Sequence, residues 1–327
     1  MTFPWQIEAL NPPFGDPGFR LSHLYSGKAL FFDLGDLHNL SARQILKPDR
    51  ICISHAHIDH LVGFDQLLRL NLNRPRRLEF FGPPEIIARI GHKLQGYTWN
   101  LTARYELLIT VHEIDGKVIR SCDFACRDRF RPGPVTDRPL TGPTICRDPT
   151  FILQAVALDH GIPSLAFVLQ EPLRVNFRPE ALQRQGLTPG PWLSRLRQAL
   201  QAGSDPKTPV PVGDQTRPLQ EIAAEIALVR PGLKIAYLAD FGYTPENREK
   251  ILPLIRGADL LLCEAAFLDE ALAQARATCH LTAGQAGRLA ALAGVKRLRL
   301  FHFSPRHSDH SERFYAQARA HFSGPVA

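Results

Sequence analysis

The segment Ser54-His55-Ala56-His57-Ile58-Asp59-His60 places three imidazoles and a carboxylate within six residues of a 327-residue chain that holds 13 histidines. Imidazole nitrogens and carboxylate oxygens are the ligands that divalent zinc takes, and manganese and iron accept similar sets. A metal held this way lowers the pKa of water from ~15.7 to about 7, which makes a nucleophile for ester hydrolysis available at neutral pH. Two adjacent ions can in addition clamp the developing oxyanion. The apolar run Ile51-Cys52-Ile53 directly before the cluster reads as the end of a buried strand. A strand end that feeds a loop lets consecutive side chains converge on one point, whereas continued pleating would send neighbours to opposite faces.

The elements that must carry such a site can be read from the pattern. Short apolar runs at 29–32, 50–53 and 78–81 predict buried strands, and 84–94 predicts a helix. Segments 105–114 and 117–125 predict two strands joined by the Asp115-Gly116 turn, a strong hairpin signal. Further strands are expected at 151–158 and 165–169. From 233 onward the alternation is regular: strands at 233–238, 259–263 and 297–301, helices at 245–252, 268–277, 282–293 and 311–321. Hairpins combined with crossover helices imply an α/β (α+β) chain with two mixed sheets and helices outside. One stretch breaks the pattern. Residues 171–218 hold eight prolines, and seven basic against four acidic residues. A long irregular stretch inside a compact domain is functional or disordered, and we read it as an arm-like insertion in a single domain spanning 1–327.

Composition bounds the function more loosely. Hydrophobic residues make up 44% and charged residues 22%, as in ordinary globular chains. The formal charge of +7 leans toward a polyanionic partner such as nucleic acid. The first ten residues lack a basic start and a long apolar stretch, and no window is long and apolar enough to span a membrane. A cytoplasmic location is therefore expected, with no membrane partner. The six cysteines are scattered without a Cys-x-x-Cys pair, which argues against a disulfide framework.

His-x-His-x-Asp-His resembles the signature of the metallo-β-lactamase superfamily, and other positions match that family in order. Asp33 in Phe31-Phe32-Asp33-Leu34-Gly35 resembles its first motif and His160 in Leu158-Asp159-His160-Gly161 its third-motif histidine. Asp240 in Tyr237-Leu238-Ala239-Asp240 resembles the bridging aspartate, and His302 in Leu300-Phe301-His302-Phe303-Ser304-Pro305-Arg306 the last ligand histidine. The resemblance implies an αββα sandwich that binds two zinc ions. One would take His55, His57 and His160, the other Asp59, His60 and His302, with Asp240 as a bridge. It also implies that Asp33 orients a ligand imidazole and that Asp59 can accept a proton from the attacking water.

Over about 30–307 the chain further resembles the ribonuclease Z family, which trims the 3′ end of transfer-RNA precursors. His280-Leu281-Thr282 resembles a His-Ser-Thr motif, which implies His280 as general acid toward the leaving 3′ oxygen. Thr282 and Gln285 have capping-box spacing, so His280 should precede a helix start. Cys263-Glu264-Ala265-Ala266 resembles a His-Glu-Ala-Thr segment, with cysteine and alanine in place of histidine and threonine, and implies that Glu264 orients His280. Gly190-Pro191 resembles part of the arm that grips the transfer-RNA elbow, with Arg195 and Arg197 following it and Arg306 as a further substrate contact. Family glycines are replaced at Ile58, and Gly63-Phe64-Asp65 stands for the usual Gly-Leu-Pro. The implied partner is a tRNA precursor, and a homodimer is implied as well. Two readings stay open beside it: a hydrolase of small phosphodiesters or other esters, and a non-catalytic RNA- or protein-binding scaffold.

Overall fold

The computed structural model describes residues 4–213 and 215–327. In chain order the first strands are β1 (Trp5–Ala9), β2 (Phe19–His23), β3 (Ala29–Phe32), β4 (Arg50–Cys52), β5 (Arg77–Gly82), β6 (Leu108–Asp115), β7 (Val118–Ala125) and β8 (Thr136–Pro139), and they form one sheet in that order. Its centre, β3 to β6, is parallel, and both flanks are antiparallel, with the β6–β7 hairpin turning where expected. Helices α1 (Ala42–Leu46), α2 (Phe64–Asn71) and α3 (Ile86–Gln95) connect its strands. Their apolar faces bury Ile45, Phe64, Leu67, Ile86, Ile90 and Leu94 with Ile51, Phe80 and Val111 of the strands.

The chain continues through β9 (Thr144–Arg147), β10 (Ile152–Asp159) and β11 (Pro163–Gln170). Next come β12 (Arg174–Phe177), α4 (Pro179–Arg184), α5 (Pro191–Ala202), β13 (Pro209–Val212), β14 (Gln215–Pro218), α6 (Leu219–Ile226) and β15 (Ala227–Arg230). The last part holds β16 (Lys234–Leu238), α7 (Pro245–Ile255), β17 (Leu260–Glu264), α8 (Leu272–Ala277), α9 (Ala283–Ala293), β18 (Leu298–Phe301) and α10 (Ser311–Arg319). The second sheet runs β18-β17-β16-β11-β10-β9, with β16, β17 and β18 parallel. Aromatic rings meet between strands of the two sheets: Phe32 stacks on Phe167 at 5.9 Å and on Tyr237 at 5.2 Å. On the second sheet's helical side, Leu261 and Leu300 are buried with Ile251, Leu289 and Phe314. The architecture is the expected pair of mixed sheets with helices.

Residues 148–152 and 170–233 form a separate compact unit. Its prolines do not keep it irregular. Pro179 and Pro191 occupy the first turns of α4 and α5, where the missing N–H costs nothing. Trp192, Leu196, Val210, Leu219, Ile222 and Ile226 give the unit a core of its own. The strands at both outer ends, β1 and β2 and again β8 and β9, went unmarked in the sequence. The expected helix over 268–277 is split, with a 3-10 turn at Asp269–Ala271 ahead of α8.

Candidate metal centre

Parallel strands put the site at one edge of the sandwich. Asp33 directly follows β3, the segment 54–60 follows β4, Asp240 follows β16, Glu264 ends β17 and His302 follows β18. Because β16, β17 and β18 run in register, their carboxyl ends deliver Asp240, Glu264 and His302 side by side. Asp33 and His302 leave their strands at φ 54° and 61°. Left-handed backbone at residues other than glycine costs about 1–2 kcal/mol, and such positions cluster where a site dictates the geometry. After β4 a 3-10 turn over Ile58–His60 turns the chain, with His57 extended at its N-cap.

Three groups of ligand atoms result among the described residues, one of them Asp240, Glu264, His280 and His302. His55, His57, His160 and Asp240 form a second, and Asp59, His60 and His302 a third, with atoms within 4.8 Å of each other in each group. The Asp240 carboxylate is the hub, 3.6 Å from His55, 3.2 Å from His60, 3.8 Å from His160 and 2.7 Å from His302. The far sides of the rings are pinned. His60 Nδ1 donates to Asp33 at 2.8 Å, His55 Nδ1 donates to Ser54 Oγ at 3.0 Å, and His160 Nδ1 donates to the Cys279 carbonyl at 2.8 Å. Each such bond occupies Nδ1 and turns Nε2 toward the centre, where it can bind a metal in place of a proton. The Nε2 atoms of His55 and His60 are fully buried and have no hydrogen-bond partner among the described residues. Buried imidazole nitrogens are rarely left so; a cation between them and the carboxylates accounts for the arrangement. The donor set of imidazoles and carboxylates fits a divalent metal.

Electrostatics agree with that reading. Burial, and then the neighbouring His60, pushes His55 down to about 2, so it stays neutral. Burial and His160 likewise lower His57. For His60, burial opposes the charge, but Asp240 and Asp33 outweigh it and raise the group to about 10. Burial would raise Asp59, yet hydrogen bonding to His302 and the charge of His60 hold it down at about 2. Protons on imidazoles thus balance the carboxylates where a cation would.

Beside this centre His280 Nδ1 lies 3.0 Å from Glu264 Oε2 and 3.9 Å from Asp240. Glu264 is completely buried and its other oxygen accepts from Phe241 N at 3.0 Å. Burial alone would lower His280; the Glu264 carboxylate outweighs it and raises the group. Thr282 caps α9 with the full capping box to Gln285, so His280 sits just before the helix as expected. The sequence did not point to the supports. Asp33 also accepts from Ser54 N, Ser54 Oγ and Tyr237 OH at 2.6–2.7 Å. Asn247 ties the His160 loop to the loop after Asp240, exchanging bonds with Asp159 and donating to the Gly242 carbonyl. Only Ser54, inside the histidine cluster, carried any signal. Arg306 lies outside the ligand groups, exposed and hydrogen-bonded to Gln274. In the separate unit, Gly190 caps α5 and Pro191 opens it; Arg195 is exposed on that helix, and Arg197 lies over the Phe177 ring at 5.4 Å.

The fold and the site define a metal-dependent hydrolase of metallo-β-lactamase architecture. Residues 170–303 match the Beta-lactamase superfamily domain. The chain is 35% identical over 291 residues to the Ribonuclease Z of Deinococcus radiodurans, covering 87% of this chain and 86% of that one. It is 29% identical to that of Thermobifida fusca, covering 92% and 83%. The chain belongs to the ribonuclease Z family. Among solved structures, a metallo-beta-lactamase fold protein from Bacillus subtilis superposes with TM-score 0.59 at 17% identity, over 99% of this chain and 95% of that one. Human tRNase Z, short form, superposes with TM-score 0.54 at 19% identity, over 93% of each. Among the described residues no helix is long and apolar enough to cross a membrane.

Proposed function

We propose that this chain is a dinuclear zinc phosphodiesterase that removes the 3′ trailer from tRNA precursors in the cytoplasm. The observation that carries this is the juxtaposition of two ligand groups around Asp240 with the His280–Glu264 pair beside them. His55, His57 and His160 would hold one ion, Asp59, His60 and His302 the other, with Asp240 between them. Zinc suits this set; manganese or iron would be accepted by similar ligands. The ions would supply a Lewis acid that activates water and neutralises phosphate charge. Asp59, partly exposed on the rim, takes up the proton that the water loses. His280, held by Glu264, carries its proton to the leaving 3′ oxygen. Asp33 keeps the His60 ring oriented. The unit at 170–233, with Gly190, Pro191, Arg195 and Arg197, is the candidate grip on the tRNA body, Arg306 a contact nearer the acceptor end, and a homodimer the expected assembly.

The test is cleavage of a tRNA precursor bearing a 3′ trailer by the purified protein, with Asp59→Ala as control. A discrete metal-dependent product absent from the control supports the reading. A folded, zinc-loaded enzyme that yields no product, but hydrolyses a small phosphodiester, overturns the substrate and leaves the chemistry.

A further inference from the structure

The metal centre opens on one flank into a surface that the reaction just described does not use. His57, the exposed member of its ligand group, lines a cleft of about 350 Å³ together with Ile58, Val62, Asp65, Arg89 and Lys93. Asp65 also lines a second cleft of about 580 Å³, whose walls include Arg69, Tyr97 and Trp99. The two clefts therefore meet at Asp65 and lead away from His57.

Their composition is unusual for solvent-facing surface. Ile58 is 80% exposed, Val62 41% and Tyr97 47%. Large apolar groups grouped beside a reactive centre mark a binding surface. The aromatic pair is rigidly seated: Trp99 donates its Nε1 to the Leu94 carbonyl at 2.7 Å and packs edge-on against Phe130 at 4.8 Å. Tyr97 in turn leans on Trp99 at 5.7 Å. Trp99 is thus a pedestal, and Tyr97 offers the open ring. Basic groups accompany them. Lys93 is 3.4 Å from Asp65, Arg89 pairs with Glu85, and Arg69 has no ion-pair partner among the described residues. That unpaired cation, Arg69, beside the open ring of Tyr97 in the same cleft is the pairing of charge and aromatic face that holds single-stranded nucleic acid without reading its sequence; duplex would not present a free base to Tyr97.

We propose that this track binds the single-stranded RNA segment on the 3′ side of the scissile bond, with Tyr97 stacking on a base. The inference rests on the proposed function and deepens it. His280 stands on the flank of Asp240, Glu264 and His302, so the nucleotide that leaves with its 3′ oxygen belongs on that flank. The strand still joined to the phosphate must then depart elsewhere, and the open route is past His57. Ile58, largely exposed, gives the entrance an apolar lip.

The experiment compares two precursors that differ only in trailer length, one nucleotide against eight. Wild type is expected to show a lower KM for the longer trailer, by about tenfold, the size of effect that one stacked base supplies. Annealing a complementary oligonucleotide to the trailer removes the advantage. Tyr97→Ala loses it as well, with the one-nucleotide precursor as internal reference, and Tyr97→Phe keeps it. A length effect identical in wild type and Tyr97→Ala overturns the track. A second readout needs no cleavage: fluorescence anisotropy of labelled octauridylate with each protein. If precursors are not cut but Tyr97→Ala binds the octamer about tenfold more weakly than wild type and Tyr97→Phe, the functional reading falls and the track stands. Equal binding by all three proteins overturns the track whatever the precursors show.

Discussion

Asp33→Asn tests whether a buried carboxylate remote from substrate sets the metal affinity. Asp33 is completely buried and accepts four hydrogen bonds, three at Oδ2 from Ser54 Oγ, His60 Nδ1 and Tyr237 OH, and one at Oδ1 from Ser54 N. Asparagine fits the space and tolerates the left-handed backbone at φ 54°. Its best orientation puts the amide oxygen at the three-bond position and turns the NH2 group against Ser54 N–H. One charge-assisted bond, worth about 1.5–3 kcal/mol, is then lost, a buried N–H is left unpaired at about 1–3 kcal/mol, and the remaining three bonds weaken. The expected loss is about 3–5 kcal/mol, a large part of the ~5–15 kcal/mol that holds a domain together. His60 also loses the anion that orients it, which typically costs 10–100-fold in metal affinity. Urea unfolding of the metal-free protein measures the first quantity, and zinc competition against a chromogenic chelator measures the second. Wild-type affinity in the variant would refute the argument that Asp33 acts on the metal through His60, and leave it a role in the fold alone.

Glu264→Gln is expected to move the alkaline limb of kcat/KM to lower pH. The carboxylate raises His280, the acid form is lost as pH rises through that value, and without Glu264 the loss comes earlier; an unmoved limb would take His280 out of the acid role. His280→Ala should lower kcat by about 10²–10⁴, the usual worth of a general acid, with folding judged by circular dichroism. Chelation of bound metal should lower Tm by about 5–10 °C, since ligand at a thousand times Kd stabilises by ~4 kcal/mol and the bare site leaves His55 Nε2 buried without a hydrogen bond; an unchanged Tm contradicts the proposed occupancy. Gly287→Ala drives a methyl into the Ala318 carbonyl oxygen, where α9 meets α10. It should destabilise by about 1–3 kcal/mol in urea titration while leaving kcat at 25 °C intact.

What could be read from the sequence divides along physical lines. The cluster at 54–60 is legible because its ligands are local: one turn after one strand brings them together, and no other segment has to be placed. Asp33, His160, Asp240 and His302 are single residues at strand ends, and only a resemblance joined them before the fold did: the parallel register of β16, β17 and β18 sets Asp240 beside His302, while Asp33 and His160 arrive from the ends of β3 and β10. Tyr237 was out of reach altogether. It lies in an apolar strand and reads as core, yet its hydroxyl meets a carboxylate 204 positions away in the chain. β8 was out of reach because its own sequence is a weak strand former: Thr136–Pro139 is wholly exposed and takes its conformation from pairing with β7.

Cys263, which stands where the resembled segment has histidine, does not face the Glu264–His280 pair. Neighbouring residues of a strand face opposite sides, so if Glu264 points at His280, residue 263 points away. Cys263 is fully buried in the apolar cluster with Leu261, Leu289 and Leu300, on the helical side of the sheet. A histidine there would need a buried polar partner, whereas a thiol packs as a small hydrophobe. Glu264 is fixed by other means: its place at the end of β17, the Phe241 N–H on one oxygen and His280 on the other. The position that differs is therefore not among the atoms that hold the acid, and Cys263→Ser should disturb packing rather than the pH profile. A shift of the alkaline limb in that variant would mean that residue 263 acts on Glu264 after all.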